Sequence, residues 1–217
     1  MRGLRVLAGA SLRRHGAAVS VEGCEHLPRS GAVLIVAHHY HHLLDGALLL
    51  ARLPRPVHIL VALDWVRSRS QRVWMERACR SARWPVILRP AQATVPGVFD
   101  SGDVRRYLRR GLRDAVELLR EGRVVVIFPE GAPVIDTPAR AAALLRGADG
   151  LRPFARGFRT LAMLAAQKAA PNLRVLPLGL RYRRTARGWS VRAGLGAPLR
   201  PDAPVADVER AVRELSG

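Results

Sequence analysis

The chain has 217 residues, 49% of them apolar, which suits one ordinary globular domain with a sizeable core. It carries 36 basic residues against 17 acidic ones, a formal charge of +19, and every lysine-or-arginine position except Lys168 is arginine. This composition excludes wholesale disorder and a disulfide framework, there being only Cys24 and Cys79, and no apolar run approaches the roughly 20 residues that span a bilayer.

In chain order, residues 1–16 read as a basic amphipathic helix with Leu4, Leu7, Ala8 and Leu12 along one side. Its apolar stretch is short and broken by Arg5, which makes a poor signal peptide. Such a helix lies in a membrane interface or packs on its own domain, and the sequence leaves both open. Residues 17–217 are expected to form a single domain. Residues 32–37 read as a buried strand, followed by a helix over 43–53. Residues 57–61 and 85–88 are short strands, with a helix over 71–82 between them. From Val104 apolar residues return at Leu108, Leu112, Ala115 and Leu119, and Gly122 stands at the expected stop, which predicts an amphipathic helix. Residues 124–128 are the next strand, 158–170 a helix, 175–180 and 190–193 strands, and 207–215 a closing helix. Residues 90–103 and 132–151 are expected as mobile loops. Strands alternating with helices predict an α/β fold, a largely parallel mixed sheet flanked by helices.

The distinctive residues sit where strands end, the usual ligand edge of such sheets. The run His38-His39-Tyr40-His41-His42-Leu43-Leu44-Asp45-Gly46 follows the first buried strand. An imidazole here suits a general base if a carboxylate fixes its tautomer and supports its charge, and Asp45 in the first turn of the next helix suits that task. Two other readings stand beside it. Asp45 serves a helix start and the histidines a surface, or the run binds metal and makes a metal-dependent hydrolase. All seven histidines lie before residue 59, so no distant histidine completes a metal cage. Phe128-Pro129-Glu130-Gly131 ends another strand, where proline and glycine enforce a turn and Glu130 suits a polyol hydroxyl. Trp84–Pro90 is an apolar strand ending in Arg89, a residue type suited to phosphate. Val175–Leu180, with Pro177, reads as core strand and turn.

Taken together and in this order, these four segments resemble the glycerol-phosphate and lysophosphatidate acyltransferase family, the PlsC-like acyltransferases. The resemblance runs from Gly23–Pro28 to about Gly194–Leu199. His39 to Asp45 is similar to the family's first motif in a form with five intervening residues rather than four. Arg89 falls at the end of the second motif, Phe128–Gly131 on the third and Pro177 on the fourth. The chain departs from the pattern at His38, where asparagine usually stands, and at Ala132 and Pro133, where Thr/Ser and Arg are frequent. Phe154-Ala155-Arg156-Gly157 resembles a downstream basic element, making Arg156 a candidate replacement phosphate contact.

The resemblance implies an acyltransferase-type αβ sandwich with His39 and Asp45 as catalytic pair. It implies substrate contacts from Arg89, Phe128, Pro129, Glu130, Gly131, Arg156 and Pro177. No metal and no resident cofactor is expected; the co-substrate is acyl-coenzyme A or an acyl-carrier protein. The acceptor is a lysophospholipid or glycerol phosphate, most simply lysophosphatidate. The positive surface attracts polyanions in general, and in this reading it meets an anionic membrane surface at the cytoplasmic, inner face. A non-catalytic nucleic-acid binder is not expected, because no zinc-finger or RNA-binding aromatic signature accompanies the charge.

Overall fold

The computed structural model describes residues 2–89, 97–135, 151–168, 170–186 and 188–217. The chain runs α1 (Arg2–Arg14), β1 (Ala17–Glu22), β2 (Val33–Ala37), α2 (Leu44–Arg52), β3 (Val57–Ile59), β4 (Val61–Ala62), α3 (Arg69–Ala82) and β5 (Val86–Ile87). It continues with α4 (Ser101–Arg120), β6 (Val124–Ile127), α5 (Gly157–Lys168), β7 (Arg174–Thr185), β8 (Gly188–Leu195) and α6 (Val205–Ser216). Of the two segments expected as loops, 90–96 and 136–150 lie outside the described residues.

A six-stranded sheet in the order β1-β8-β7-β2-β6-β3 forms the middle layer, and only the β7–β8 pair is antiparallel. The α/β expectation therefore stands. Strand β2 shows why the sheet is covered on both faces. Val33, Ile35 and Ala37 join a core cluster with α1 and α2, whereas Leu34 and Val36 join one with α4, α5 and α6. All five are buried, as a central parallel strand requires. A smaller cluster of Leu63, Val66, Leu88, Val98 and Phe99 fills the space beside β4 and β5.

Several boundaries differ from expectation for identifiable reasons. The strand expected over 57–61 splits at Leu60: the Leu60 N–H still bonds Val126 O (2.9 Å), while the Val61 N–H bonds Pro85 O (2.9 Å). The chain thus leaves the main sheet to form the two-stranded β4–β5 pair. Helix α4 begins before Val104 because Asp100 and Asp103 close a capping box. Strand β1 has no counterpart in the sequence reading; it is an edge strand, half-buried in alternation, parallel to β8. Helix α1 packs on α2 with Ala8 and Leu12 buried, and Arg5 bonds Leu53 O (2.7 Å). Leu7, expected along one side of the helix with Leu4, Ala8 and Leu12, is exposed where Ala8 and Leu12 are buried. No helix among the described residues is long and apolar enough to cross a membrane.

Candidate active site

Parallel strands deliver their following segments to one edge of the sheet. The carbonyl of Leu178 in β7 holds the His38 N–H (3.0 Å) as the chain leaves β2, so the Pro177 strand aims the histidine run. Pro177 itself is buried in the sheet opposite Val36. Asp45 follows in the first turn of α2 and is fully buried. Its Oδ2 accepts from His39 Nδ1 (2.8 Å) and from the N–H groups of Tyr40 (2.8 Å) and His41 (3.0 Å). Its Oδ1 accepts from the Tyr182 hydroxyl (2.5 Å). A carboxylate this well satisfied favours the Nδ1–H tautomer of His39 and leaves Nε2 as the proton acceptor. The His39 side chain is 15% exposed and stacks on Phe128, centroids 4.3 Å apart.

Tyr182 is a residue of the candidate site that the sequence motifs did not include. Strand β7 continues past the expected end at Leu180, carrying Tyr182 over Asp45, where it stacks face to face on Tyr40 (4.1 Å). Burial, with the charge of Asp45, pushes its hydroxyl far above the usual tyrosine range, so it stays a hydrogen-bond donor. The signal in the sequence is the long β7–β8 hairpin, whose length would have kept Tyr182 in the sheet.

Glu130 sits at the end of β6, buried. The sequence reading assigns it to substrate, yet three of its bonds go to the chain itself. Oε1 accepts from His38 Nδ1 (2.6 Å) and the His39 N–H (2.9 Å), and Oε2 from the Arg152 N–H (3.1 Å). Burial disfavours its charge, but these donors win and its carboxyl lies below the usual range. His38, unexplained in the sequence, is thereby the side chain that ties β2's exit to β6's exit. The Gly131 N–H closes a turn on Phe128 O (3.2 Å), so it is engaged within the turn rather than presented to an oxyanion. Gly131 has φ 79°, and a Cβ there would meet an Arg89 nitrogen at 2.5 Å, so the turn requires glycine.

Arg89, at the end of β5, spans two loops. Its Nε and Nη2 bond Asp64 Oδ2 (2.7 and 2.6 Å), and its Nη1 donates to Gly131 O. Asp64, another residue the sequence reading passed over, thus sets the guanidinium's plane beside the Phe128–Gly131 turn. Arg156 belongs to a segment held on that turn through the Ala155 N–H to Pro129 O (3.2 Å). Its own side chain is exposed and borders a hollow with Arg159, Thr160 and Pro204, between α5 and α6. The fold thus gathers His39, Asp45, Phe128, Pro129, Glu130, Gly131 and Arg89, places Pro177 beneath them, and keeps Arg156 on the neighbouring surface. Nothing here favours the metal-hydrolase alternative: His38 and His39 direct Nδ1 at carboxylates, and no group of three His, Cys, Asp or Glu among the described residues is placed to hold an ion.

A family model described as Acyltransferase matches residues 18–181. Among solved structures, the crystal structure of the 1-acyl-sn-glycerophosphate (LPA) acyltransferase PlsC from Thermotoga maritima is similar, with a TM-score of 0.61 and 18% identity. The similarity covers 98% of this chain and 76% of that one. A comparison with curated proteins returns no match. The matched region contains the His39–Asp45 pair, the Arg89 loop and the Phe128–Gly131 turn, and the chain belongs to the acyltransferase family.

Proposed function

We propose that this acyltransferase moves a fatty acyl group from acyl-coenzyme A or an acyl-carrier protein to a hydroxyl of a glycerophospholipid precursor, converting lysophosphatidate to phosphatidate. The observation that carries the reading is the 2.8 Å His39–Asp45 bond at the open edge of an acyltransferase-family sheet. The similar fold of a 1-acyl-sn-glycerophosphate acyltransferase supports the choice of acceptor.

In this reading His39 Nε2 takes the proton of the acceptor hydroxyl as its oxygen attacks the thioester carbonyl. The C–O bond forms, the tetrahedral oxyanion collapses, the C–S bond breaks, and the imidazolium returns the proton to the departing thiolate. Asp45 holds the tautomer and stabilises the imidazolium, help worth roughly 10²–10⁴ in rate. The substrate hydroxyl is itself the nucleophile, so no serine or cysteine is required. Arg89, held by Asp64, binds the acceptor phosphate and so positions the attacking oxygen. Glu130 acts through the loop that carries His39, and Arg156 supplies a second, outer contact for phosphate. The surplus arginine keeps the enzyme on the anionic inner face of the cell membrane, where its acceptor lies.

Thiol release from acyl-coenzyme A tests this, with and without lysophosphatidate, alongside glycerol 3-phosphate, other lysophospholipids and an acyl-carrier-protein donor. Release should require an acceptor and yield phosphatidate from lysophosphatidate. Thiol release at full rate without any acceptor would make the chain a thioester hydrolase and sink the reading.

A further inference from the structure

The run after β2 holds a third buried histidine, His41, which uses its ring differently from His38 and His39. Its Nδ1 accepts two backbone hydrogen bonds, from the Leu43 N–H (3.2 Å) and the Leu44 N–H (3.4 Å). Both partners are donors, so Nδ1 carries the lone pair and the ring is the neutral Nε2–H tautomer, opposite to the one favoured for His39. The first N–H groups of an α-helix have no intrahelical acceptor and must be capped from outside. At the start of α2 the usual caps are missing. Leu43 stands at the N-cap position, and its side chain makes no capping bond. Asp45, the acidic residue of the first turn, directs its carboxylate to His39, Tyr40, His41 and Tyr182. The imidazole of His41 takes over the capping.

His41 and Asp45 also hold each other. The His41 N–H donates to Asp45 Oδ2 (3.0 Å), and the Asp45 N–H donates to His41 O (3.3 Å). With the ring bonds to Leu43 and Leu44, the arrangement does with an imidazole what a capping box does with a hydroxyl and a carboxylate. We infer that His41 is a positioning residue for acyl transfer: its ring caps α2 and so holds Asp45 where it orients His39. His41 acts through Asp45 and takes no proton from substrate. The inference rests on the reading of His39 and Asp45 as the catalytic pair. Packing is the rival account of this ring, because its centroid lies 4.8 Å from that of His42 and 6.4 Å from those of Tyr182 and Trp189. The two accounts predict opposite patterns of substitution.

His41→Phe keeps a flat ring and has no acceptor, whereas His41→Asn gives up the ring and keeps a side-chain oxygen that accepts from backbone N–H groups two and three residues on. With lysophosphatidate as acceptor, His41→Phe should lower kcat about tenfold, the rate equivalent of one lost cap, and leave KM within about twofold of wild type. His41→Asn should bring kcat back to within about threefold of wild type. Wild-type kcat in His41→Phe, or the order that packing predicts, with Phe tolerated and Asn impaired, would overturn the assignment. Long-range proton–nitrogen correlation NMR of the histidine-labelled full chain reads the same device without substrate. The His41 ring, identified by its absence in His41→Asn, should be neutral with its proton on Nε2. The His39 Nδ1–H resonance should be displaced in His41→Phe and restored in His41→Asn. A His41 proton on Nδ1, or a His39 resonance indifferent to His41→Phe, would also overturn it. A wild type that shows these signals but acylates no acceptor would leave the cap standing and remove the proposed function.

Discussion

His38 and His39 are adjacent, and each directs Nδ1 at a buried carboxylate, Glu130 at 2.6 Å and Asp45 at 2.8 Å. Their surroundings separate their tasks. His38 is closed in, and with Glu130 it joins the segments that follow β2 and β6. His39 keeps an open edge, and its carboxylate is held by two backbone N–H groups and Tyr182. The same side-chain pair thus serves as a clamp in one place and as a candidate proton relay in the next. What distinguishes them is access, a side chain 2% exposed against one 15% exposed, and the Tyr182 hydroxyl on Asp45, not the imidazole itself.

Substitutions should break this comparison in graded ways. Asp45→Asn should have the largest effect on rate: the amide no longer stabilises an imidazolium, and kcat for acyl transfer should fall about 10²–10⁴-fold in the thiol-release assay. His38→Ala should act on the fold. It removes the His38 donor from the buried Glu130, and urea unfolding should show a loss of about 1–3 kcal/mol while kcat stays within about tenfold. Tyr182→Phe removes one neutral donor from Asp45, and a drop in kcat of about three- to tenfold corresponds to the roughly 1 kcal/mol such a bond contributes.

The smallest expected effect is the pH dependence of the clamp. Glu130 has its folded-state pKa depressed, so its stabilisation is fully present above the ordinary glutamate value of about 4.3 and is lost as pH falls through the lower folded value. Unfolding midpoints taken from pH 6 down to about pH 3 should decline in wild type, and Glu130→Gln should remove part of that slope. An unchanged slope would mean the Glu130 carboxylate is not held by its neighbours.

The sequence made the central layers legible because their signals are strong. Leu34 and Ile35 in β2 and Val125 and Val126 in β6 lie in unbroken apolar runs, and α4 repeats its apolar residues with a helical period. Strand β1 escaped because Ala17–Glu22 is an edge whose alternate residues face solvent, so it carries no run at all. Within the site, His39 and Asp45 are six residues apart and read as one motif. Tyr182 lies 137 residues from Asp45 and Asp64 lies 25 from Arg89, and no local pattern announces either pairing. The reason for His38 was equally hidden, since its partner Glu130 is 92 residues away.

The most direct test of the central claim is kcat for acyl transfer from acyl-coenzyme A to lysophosphatidate in His39→Ala, with folding checked by thermal melt. The account predicts a loss of about 10²–10⁴-fold in a protein that still folds, because Asp45 keeps the Tyr40 and His41 N–H groups and the Tyr182 hydroxyl when His39 is removed. Turnover at the wild-type rate in a folded His39→Ala protein would contradict it.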